Sequence, residues 1–326
     1  MSSTYADPRT DPARRMPGSL ILGPNARMLF VRHLPPVSYP APAVLYVHGA
    51  TFPSGLSVAY PFDSRSWADE LGAAGLDVWA FDFVGYGHSS RYPEQGRDPE
   101  RSEPLGRAAE AAEQLECVLE CVAAARGGGP VSLLAHSWGT LVAGLVAGRR
   151  PELIDRLVLF GPIARRAEPA VDVGTPGGWY PLTTEQQHAR FVADVPPGHV
   201  PVLSPEHFAA WARDWLATDP NAGARNPPAV RTPVGPRLDV AAAFSGDLAY
   251  DPGAIRAPTC ILRGEWDSLC TDTDARDLFD ALSCAPLRRD VKLGHGTHLM
   301  HLESSRHALY REAATFLLAG DVTPYG

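Results

Sequence analysis

Short apolar runs alternate with longer segments of helical periodicity over most of the chain. The clearest runs lie at residues 44–47, 76–81, 131–135 and 156–160. Such runs are typical of strands buried on both faces of a parallel sheet, and residues spaced three and four apart between them indicate amphipathic helices. The alternation predicts an α/β fold: a mostly parallel central sheet with helices on both faces.

The alternation stops after Pro162. Residues 163–248 contain no convincing central strand and hold 12 of the 32 prolines, which cannot donate to a strand ladder. The clearest element is a helix starting at Ser204 and Pro205, whose apolar stripe either packs the insert onto the core or also lines a pocket. That stripe is Phe208, Trp211, Ala212 and Trp215. The predicted domains are a disordered tail at 1–17, a core of 18–162 and 249–326, and a helical, Pro-rich cap at 163–248 with a second helix at 183–193.

Composition narrows the class of protein. Hydrophobic residues make up 45% and charged residues 20%, which are globular values, and no apolar run is long enough to span a membrane. A net charge of −8 without a basic cluster argues against nucleic acid as a partner. The tail lacks the apolar core of a signal peptide, and five irregularly spaced cysteines suit neither disulfides nor zinc. We expect a cytoplasmic protein without a membrane partner; the sequence leaves its oligomeric state open.

A predicted strand, an abrupt turn and a helix meet at Ser137. The apolar run ends at Ala135, and apolar residues at helical spacing resume after Gly139. Small residues two positions before and after a serine let the strand and helix pack closely around it, with the hydroxyl standing clear of the sheet. The turn lies at the carboxyl end of its strand, where parallel sheets bind ligands. An ordinary helix N-cap is the alternative explanation.

The residues around Ser137 resemble the G-x-S-x-G nucleophile elbow of the α/β-hydrolase family, with Ala135 replacing the first glycine. Four further segments resemble motifs of that family in the same order: the oxyanion strand end at 48–50, the D-x-x-G-x-G-x-S turn at 82–89, the acid strand at 258–267 and the catalytic-histidine loop at 296–303. Five motifs in order are far more specific than one. The resemblance implies a serine hydrolase.

The resemblance assigns Ser137 as nucleophile, His298 as base and Asp267 as the acid that orients the base. A serine hydroxyl needs both partners because it is a poor nucleophile at neutral pH. The backbone N–H groups of Ala50 and Trp138 are expected to form the oxyanion hole, with Thr51 as an alternative donor.

Other residues compete for these roles. His295 could replace His298, although it lies eight positions before Glu303 whereas the family's histidine lies five before. The competing acids are Glu265, Asp272 and Asp274. Asp82 is interpreted as a turn residue.

The nucleophile separates two reaction classes. Haloalkane dehalogenases share the H-x-W-G turn of residues 136–139, but they and the epoxide hydrolases use an aspartate, since Ser137 would form an inert alkyl ether. Hydrolysis through an acyl-Ser intermediate is therefore implied, and we rank a carboxylic ester or lactone first among the substrates. Amide or peptide hydrolysis is second, because proline aminopeptidases share the S-W-G elbow but carry H-G-G-P-G where residues 48–52 read H-G-A-T-F. A non-hydrolytic ligand-binding relative is a third possibility.

A small-molecule substrate with an apolar, partly aromatic group is the remaining expectation, based on Trp138 and the aromatic residues of the cap. The predicted pocket residues are His48, Thr51, His136, Trp179, Tyr180, Trp211 and Trp215. The resemblance implies no metal or organic cofactor.

Overall fold

The computed structural model describes residues 16–169 and 177–320. Its strands are β1 (Gly18–Leu22), β2 (Met28–Leu34), β3 (Ala43–Val47), β4 (Asp77–Asp82), β5 (Val131–His136), β6 (Ile154–Phe160), β7 (Trp179–Thr183), β8 (Ala229–Pro233), β9 (Thr259–Gly264) and β10 (Arg288–Leu293). Within the described residues, eight of them form a central sheet in the order β1-β2-β4-β3-β5-β6-β9-β10. β2 is antiparallel to β1 and β4, and the strands from β4 to β10 in that order are parallel. The predicted mostly parallel sheet is confirmed.

Helices cover both faces of this sheet. They are α1 (Trp67–Ala73), α2 (Ala108–Ala125), α3 (Gly139–Arg149), α4 (Thr184–Val192), α5 (Pro205–Ala217), α6 (Gly235–Phe244), α7 (Asp272–Ala281) and α8 (Arg306–Leu317). Neighbouring residues of β5 point to opposite faces: Leu133 packs in the cluster that contains α2 and α3, and Leu134 in the cluster that contains α1 and α8. The apolar runs of the central strands therefore follow from burial on both sides.

The start of the described chain is held against the sheet. Residues 1–15 of the predicted tail lie outside the described residues. We expected Met16 and Pro17 to belong to the disordered tail, but both are ordered. The Met16 side chain is buried, and the Pro17 carbonyl accepts a hydrogen bond from the His33 N–H at 2.9 Å. Removing the apolar Met16 side chain from water stabilises this ordered position over a frayed one.

The cap segment contains the two predicted helices, α4 and α5, and an antiparallel pair of strands, β7 and β8, that we did not predict. Pro181 and Pro233 lie in these strands and concealed them, because prolines are excluded from central strands. A two-stranded sheet has only edge strands, which tolerate proline. All four residues of the α5 stripe are buried, packed in a cluster with Phe52 and Leu56 of the segment after β3.

Helix α6 ties the cap segment to the core through one carboxylate. Asp239 is buried and accepts hydrogen bonds from the Ala108 N–H at 2.7 Å and from Trp138 Nε1 at 2.9 Å, and it pairs with Arg107. It thereby caps the N-terminus of α2, which begins at Ala108. An anionic cap from a distant helix suits the partial positive charge of that terminus.

We expect Asp239→Ala to lower the free energy of unfolding by about 2–4 kcal/mol, because it removes a cap and leaves two buried N–H groups without an acceptor. Urea unfolding followed by circular dichroism measures the loss. Asp251→Ala is the matched control: this exposed carboxylate caps only the Gly253 N–H, so its loss should cost under about 1 kcal/mol. Equal losses of stability in the two variants would contradict the proposal that Asp239 stabilises the fold by accepting from buried N–H groups.

Candidate active site

Ser137 lies on the turn between β5 and α3 with a backbone φ of 56°. This left-handed conformation costs a residue other than glycine about 1–3 kcal/mol and persists only where its surroundings hold it. The Ser137 N–H donates to the Phe160 carbonyl at 3.0 Å, and the Thr140 N–H and hydroxyl donate to the Ser137 carbonyl at 2.8 and 2.6 Å. The backbone of the turn is thus held from both sides.

The small residues around the turn have different roles. A Cβ on Gly139 would lie 2.5 Å from the His48 carbonyl oxygen, so a side chain there would push α3 away from β3. Ala135, by contrast, is fully buried in the core beneath the sheet, where its methyl group is accommodated. Replacing the first glycine of the elbow therefore leaves the turn intact.

The structure brings Ser137, His298 and Asp267 into one hydrogen-bonded row. Ser137 Oγ lies 2.8 Å from His298 Nε2, and His298 Nδ1 lies 3.0 Å from both carboxylate oxygens of Asp267. When Nδ1–H donates to the carboxylate, Nε2 is left to accept the serine proton. Asp267 and His298 are buried, so water competes little for these bonds.

Backbone groups fix the carboxylate end of this row. Asp267 Oδ1 also accepts the N–H groups of Leu269 at 2.9 Å and Cys270 at 3.0 Å. Gly161, at φ 52°, lies beside the pair, and a Cβ there would come within 2.9 Å of both Asp267 Oδ2 and His298 Nδ1. The close packing leaves the carboxylate little freedom to turn away from the imidazole.

Glu303 holds the loop that carries His298. It accepts a hydrogen bond from the Thr297 N–H at 3.1 Å and a short one from the Thr297 hydroxyl, and the Leu299 N–H donates to that hydroxyl at 3.1 Å. Burial raises the pKa of Glu303 to about 7. The glutamate five positions after the histidine therefore supports the loop and does not contact Ser137.

Electrostatics distinguish His298 from the histidines next to it. Burial opposes its charged form, but the charge of Asp267 and the hydrogen bond to it prevail and raise the pKa of His298 above 6.5. Burial lowers the pKa of His136 well below 6.5 and that of His301 to about 3, and positive charge on the neighbouring histidines lowers both further. Of these three imidazoles, only His298 has a carboxylate to stabilise its cation.

The competing residues are used elsewhere. His295 is exposed next to Trp266, and its N–H donates to the side chain of Glu265 at 3.0 Å. Asp272 pairs with Arg263 and Lys292, and Asp274 pairs with Arg166. Asp82 accepts from the N–H groups of Ser54 and His88, as expected of a turn residue.

The backbone N–H groups of Ala50 and Trp138, the expected oxyanion donors, have no acceptor among the described residues. His48 orients the first of them. Its Nδ1–H donates to the Gly49 carbonyl at 2.7 Å, and its Nε2 accepts from the Phe83 N–H at 3.1 Å. Because the Gly49 carbonyl and the Ala50 N–H share one peptide plane, the bond from His48 turns that N–H the opposite way. Burial lowers the pKa of His48, which keeps it neutral in this role.

A cavity of about 210 Å³ opens on the Ser137 side chain. Its wall includes Thr51 and His136, two of the predicted pocket residues. The other lining residues are Ala50, Phe52, Arg190, Phe191, Ala193, Asp194, Ser268, Leu269, His298 and Leu299. We refer to this space as the Ser137 cavity.

The other predicted pocket residues do not line it, so the expected wall of tryptophans and Tyr180 is wrong for this cavity. His48 is used in the backbone contact above. Trp179 Nε1 donates to the carbonyls of Glu94 and Arg97, and Tyr180 lies in β7. Trp211 and Trp215 are fully buried, donating to the carbonyls of Leu56 and Thr51. Trp138 likewise turns its indole toward Asp239 and away from the cavity.

Sequence reasoning missed the polar residues of the cavity wall. Asp194 accepts from the Ser268 hydroxyl at 2.5 Å, and the Arg190 guanidinium has no carboxylate within 4.0 Å in the described chain. Arg190 bonds instead to the side chain of Gln187 at 3.3 Å. No local motif marks these residues; only their position in and after α4, a helix we did predict, could have suggested them.

Neither a metal centre nor a membrane helix is found in the described segments. No group of three or more His, Cys, Asp or Glu side chains there could hold a metal ion. No helix among the residues described is both long and apolar enough to cross a bilayer.

Several solved structures share this fold. A thioesterase domain from the curacin biosynthetic pathway is 19% identical, with 93% of this chain and 99% of that chain covered and a TM-score of 0.60. The enol-lactonase from Burkholderia xenovorans is 18% identical, covering 92% and 100%, with a TM-score of 0.60. A haloalkane dehalogenase loop variant from Bradyrhizobium elkanii is 21% identical, covering 93% and 96%, with a TM-score of 0.58. At such identities the likeness shows the fold alone.

Comparison with curated proteins returned no match. A family model described as alpha/beta hydrolase fold, however, matches residues 42–305. The matched segment spans most of the chain and contains Ser137, Asp267 and His298, and membership supports hydrolase activity. The chain therefore belongs to the alpha/beta hydrolase fold family.

Proposed function

We propose that the protein is a serine hydrolase that cleaves a carboxylic ester or lactone of a small substrate through an acyl-Ser intermediate. The observation that carries this proposal is the 2.8 Å contact between Ser137 Oγ and His298 Nε2, with Asp267 on the far side of the imidazole. A nucleophile, a base and an orienting acid in that order are the parts acyl transfer requires.

In this mechanism, Ser137 Oγ adds to the substrate carbonyl carbon while its proton passes to His298 Nε2. The carbonyl π electrons move to the oxygen, which the N–H groups of Ala50 and Trp138 stabilise. The carbonyl re-forms as the bond to the alcohol breaks, and His298 protonates the departing oxygen. Water then repeats the sequence on the acyl-Ser, releasing the acid and returning the proton to Ser137.

The serine also argues against alkyl transfer. Similar folds include a haloalkane dehalogenase and an epoxide hydrolase. An alkyl group transferred to Ser137 would form an ether, which the row of Ser137, His298 and Asp267 has no means to hydrolyse. An acyl group forms an ester, which water can cleave. The complete row of nucleophile, base and acid favours catalysis over the third possibility, a non-hydrolytic binding protein.

The size and wall of the Ser137 cavity support a small ester or lactone. Its volume of about 210 Å³ is below the roughly 300–1,000 Å³ of drug-sized ligand pockets. Phe52, Phe191, Leu269 and Leu299 supply apolar wall. Amide hydrolysis stays the second candidate, because Asp194 in the same wall could bind a cationic amine.

Ser137→Ala is expected to lower kcat for ester hydrolysis by about 10⁴- to 10⁶-fold and to abolish labelling by a fluorophosphonate, since no other group would carry the acyl or phosphonyl adduct. Ser268→Ala removes another hydroxyl from the same cavity wall and should keep the label. Mass spectrometry locates the adduct. A wild-type protein that hydrolyses none of a panel of esters, lactones, thioesters and anilides, and takes no label, would overturn the proposal.

The pH dependence of kcat/KM should report His298 as the base. Activity needs the neutral imidazole, so it falls as pH drops through the raised pKa, giving a midpoint above 6.5. Asp267→Asn should move that midpoint to lower pH, because the raising charge is gone and burial remains. It should also reduce kcat by about 10⁴-fold through the loss of the correct tautomer.

Asp194→Asn is the matched control for this profile. Asp194 raises the pKa of His298 through its charge without a hydrogen bond to the ring, so its removal should shift the midpoint less in the same direction. Profiles that coincide for the wild-type protein and Asp267→Asn would be inconsistent with His298 as the titrating base.

Acyl-chain length tests the Ser137 cavity. We expect kcat/KM for p-nitrophenyl esters to be about tenfold or more higher for butyrate than for laurate, because the long chain exceeds the space available. Phe191→Ala should shift the preference toward longer chains. Phe208→Ala is the control, since Phe208 packs against Phe191 with ring centroids 5.8 Å apart but does not line the cavity. A flat dependence on chain length would dismiss the cavity as the acyl site.

A further inference from the structure

The segment after β3 contains a residue in a backbone conformation that its side chain disfavours. Thr51 has a φ of 75°. Left-handed φ is a genuine outlier for a β-branched residue and costs about 1–3 kcal/mol. Thr51 directly follows Ala50, the proposed oxyanion donor, and both line the Ser137 cavity. Contacts from elsewhere in the molecule must therefore hold this conformation.

Two such contacts come from the cap. Trp215 Nε1–H of helix α5 donates to the Thr51 carbonyl at 3.0 Å, and Gln187 Nε2–H of helix α4 donates to the Thr51 hydroxyl at 3.0 Å. Both cap side chains are fully buried, and Thr51 is 3% exposed. Two hydrogen bonds shielded from water thus restrain the main chain and the side chain of one strained residue.

The core restrains the same segment from the other side. The bond from His48 to the Gly49 carbonyl restrains the peptide plane that contains the Ala50 N–H but leaves the following residue, Thr51, free to turn. With Gly49 held by the core and Thr51 held by the cap, the residue between them has little freedom to rotate. The direction of the Ala50 N–H therefore depends on contacts from both parts of the molecule.

We propose that Trp215 and Gln187 are positioning residues: by holding Thr51 in its left-handed conformation, they aim the Ala50 N–H at the oxygen of the reacting carbonyl. The proposal rests on the proposed hydrolase function. It makes the packed cap a requirement for transition-state stabilisation, beyond any role in covering the substrate. A cap that moved away would break both bonds, and Thr51 would relax toward an ordinary φ.

The chain contains a matched internal control. Trp211 lies one turn before Trp215 on α5, is as deeply buried, and stacks on it with ring centroids 5.8 Å apart and an interplanar angle of 14°. Its Nε1–H donates to the Leu56 carbonyl at 2.8 Å, five residues beyond Thr51. Exchanging either indole for a phenyl ring removes one buried N–H donor from the same stack. Only the Trp215 exchange removes a bond to Thr51.

We expect Trp215→Phe to lower kcat about 10- to 100-fold relative to Trp211→Phe, with KM within about threefold, since a misaimed donor weakens the transition state more than the ground state. The affinity for a trifluoromethyl ketone, whose carbonyl becomes a hemiketal oxyanion in the same hole when Ser137 adds to it, should fall by the factor lost in kcat/KM. Fluorophosphonate titration gives the concentration of competent sites, and thermal unfolding gives the stability of each variant. A purely structural role would lower both variants alike in stability and in site concentration.

Gln187→Met provides a second, independent variant if Trp215→Phe folds poorly. It keeps a side chain of similar length but donates nothing to Thr51, and the same selective fall in kcat and in ketone affinity is expected. If the wild-type protein labels and hydrolyses esters but Trp215→Phe and Gln187→Met match Trp211→Phe in kcat per site, the positioning role is wrong and the hydrolase proposal stands. If the wild-type protein neither labels nor hydrolyses, both proposals fail.

Discussion

A chain reversal at Ser137 joins the last residue of β5 to the first turn of α3, and the site is arranged around it. At φ 56° the serine side chain leaves the sheet at the carboxyl ends of the parallel strands. The loops that follow β9 and β10 open at the same edge and carry Asp267 and His298. A relaxed turn would move the hydroxyl away from His298 Nε2, and the 2.8 Å contact would be lost.

One carboxylate overcomes the effect of burial and raises the pKa of a single imidazole among the several near this turn. His48, His136 and His301 are buried near Ser137, and burial lowers the pKa of each. His298 is buried too, but the adjoining Asp267 carboxylate reverses the outcome. The neutral histidines can then serve as packing and hydrogen-bonding groups, as His136 does when it donates to the His298 carbonyl at 3.0 Å. A second imidazolium in this space would oppose the one that acyl transfer creates.

The cap segment forms hydrogen bonds with the core next to the two proposed oxyanion donors. Asp239 of α6 accepts a hydrogen bond from the indole of Trp138, and the backbone N–H of Trp138 is the other proposed oxyanion donor. Trp215 and Gln187 bond to Thr51, next to the first donor. Both proposed donors are therefore adjacent to, or belong to, residues that the cap segment holds.

Local pattern was enough to predict the parallel sheet, the turn at Ser137 and the cap helices, because strand burial, tight turns and helix capping depend on residues close together in sequence. The order of the motifs predicted which three side chains would meet, and the structure brings them together; their catalytic roles stay a proposal. Only the tertiary structure showed the polar residues of the cavity wall, the β7–β8 pair and the carbonyls to which the cap tryptophans donate. Trp215 is 164 residues from the carbonyl it binds and Gln187 is 136 from its partner hydroxyl. An apolar stripe indicates that a helix face is buried, but what that face meets depends on packing between distant segments, which no short-range pattern encodes.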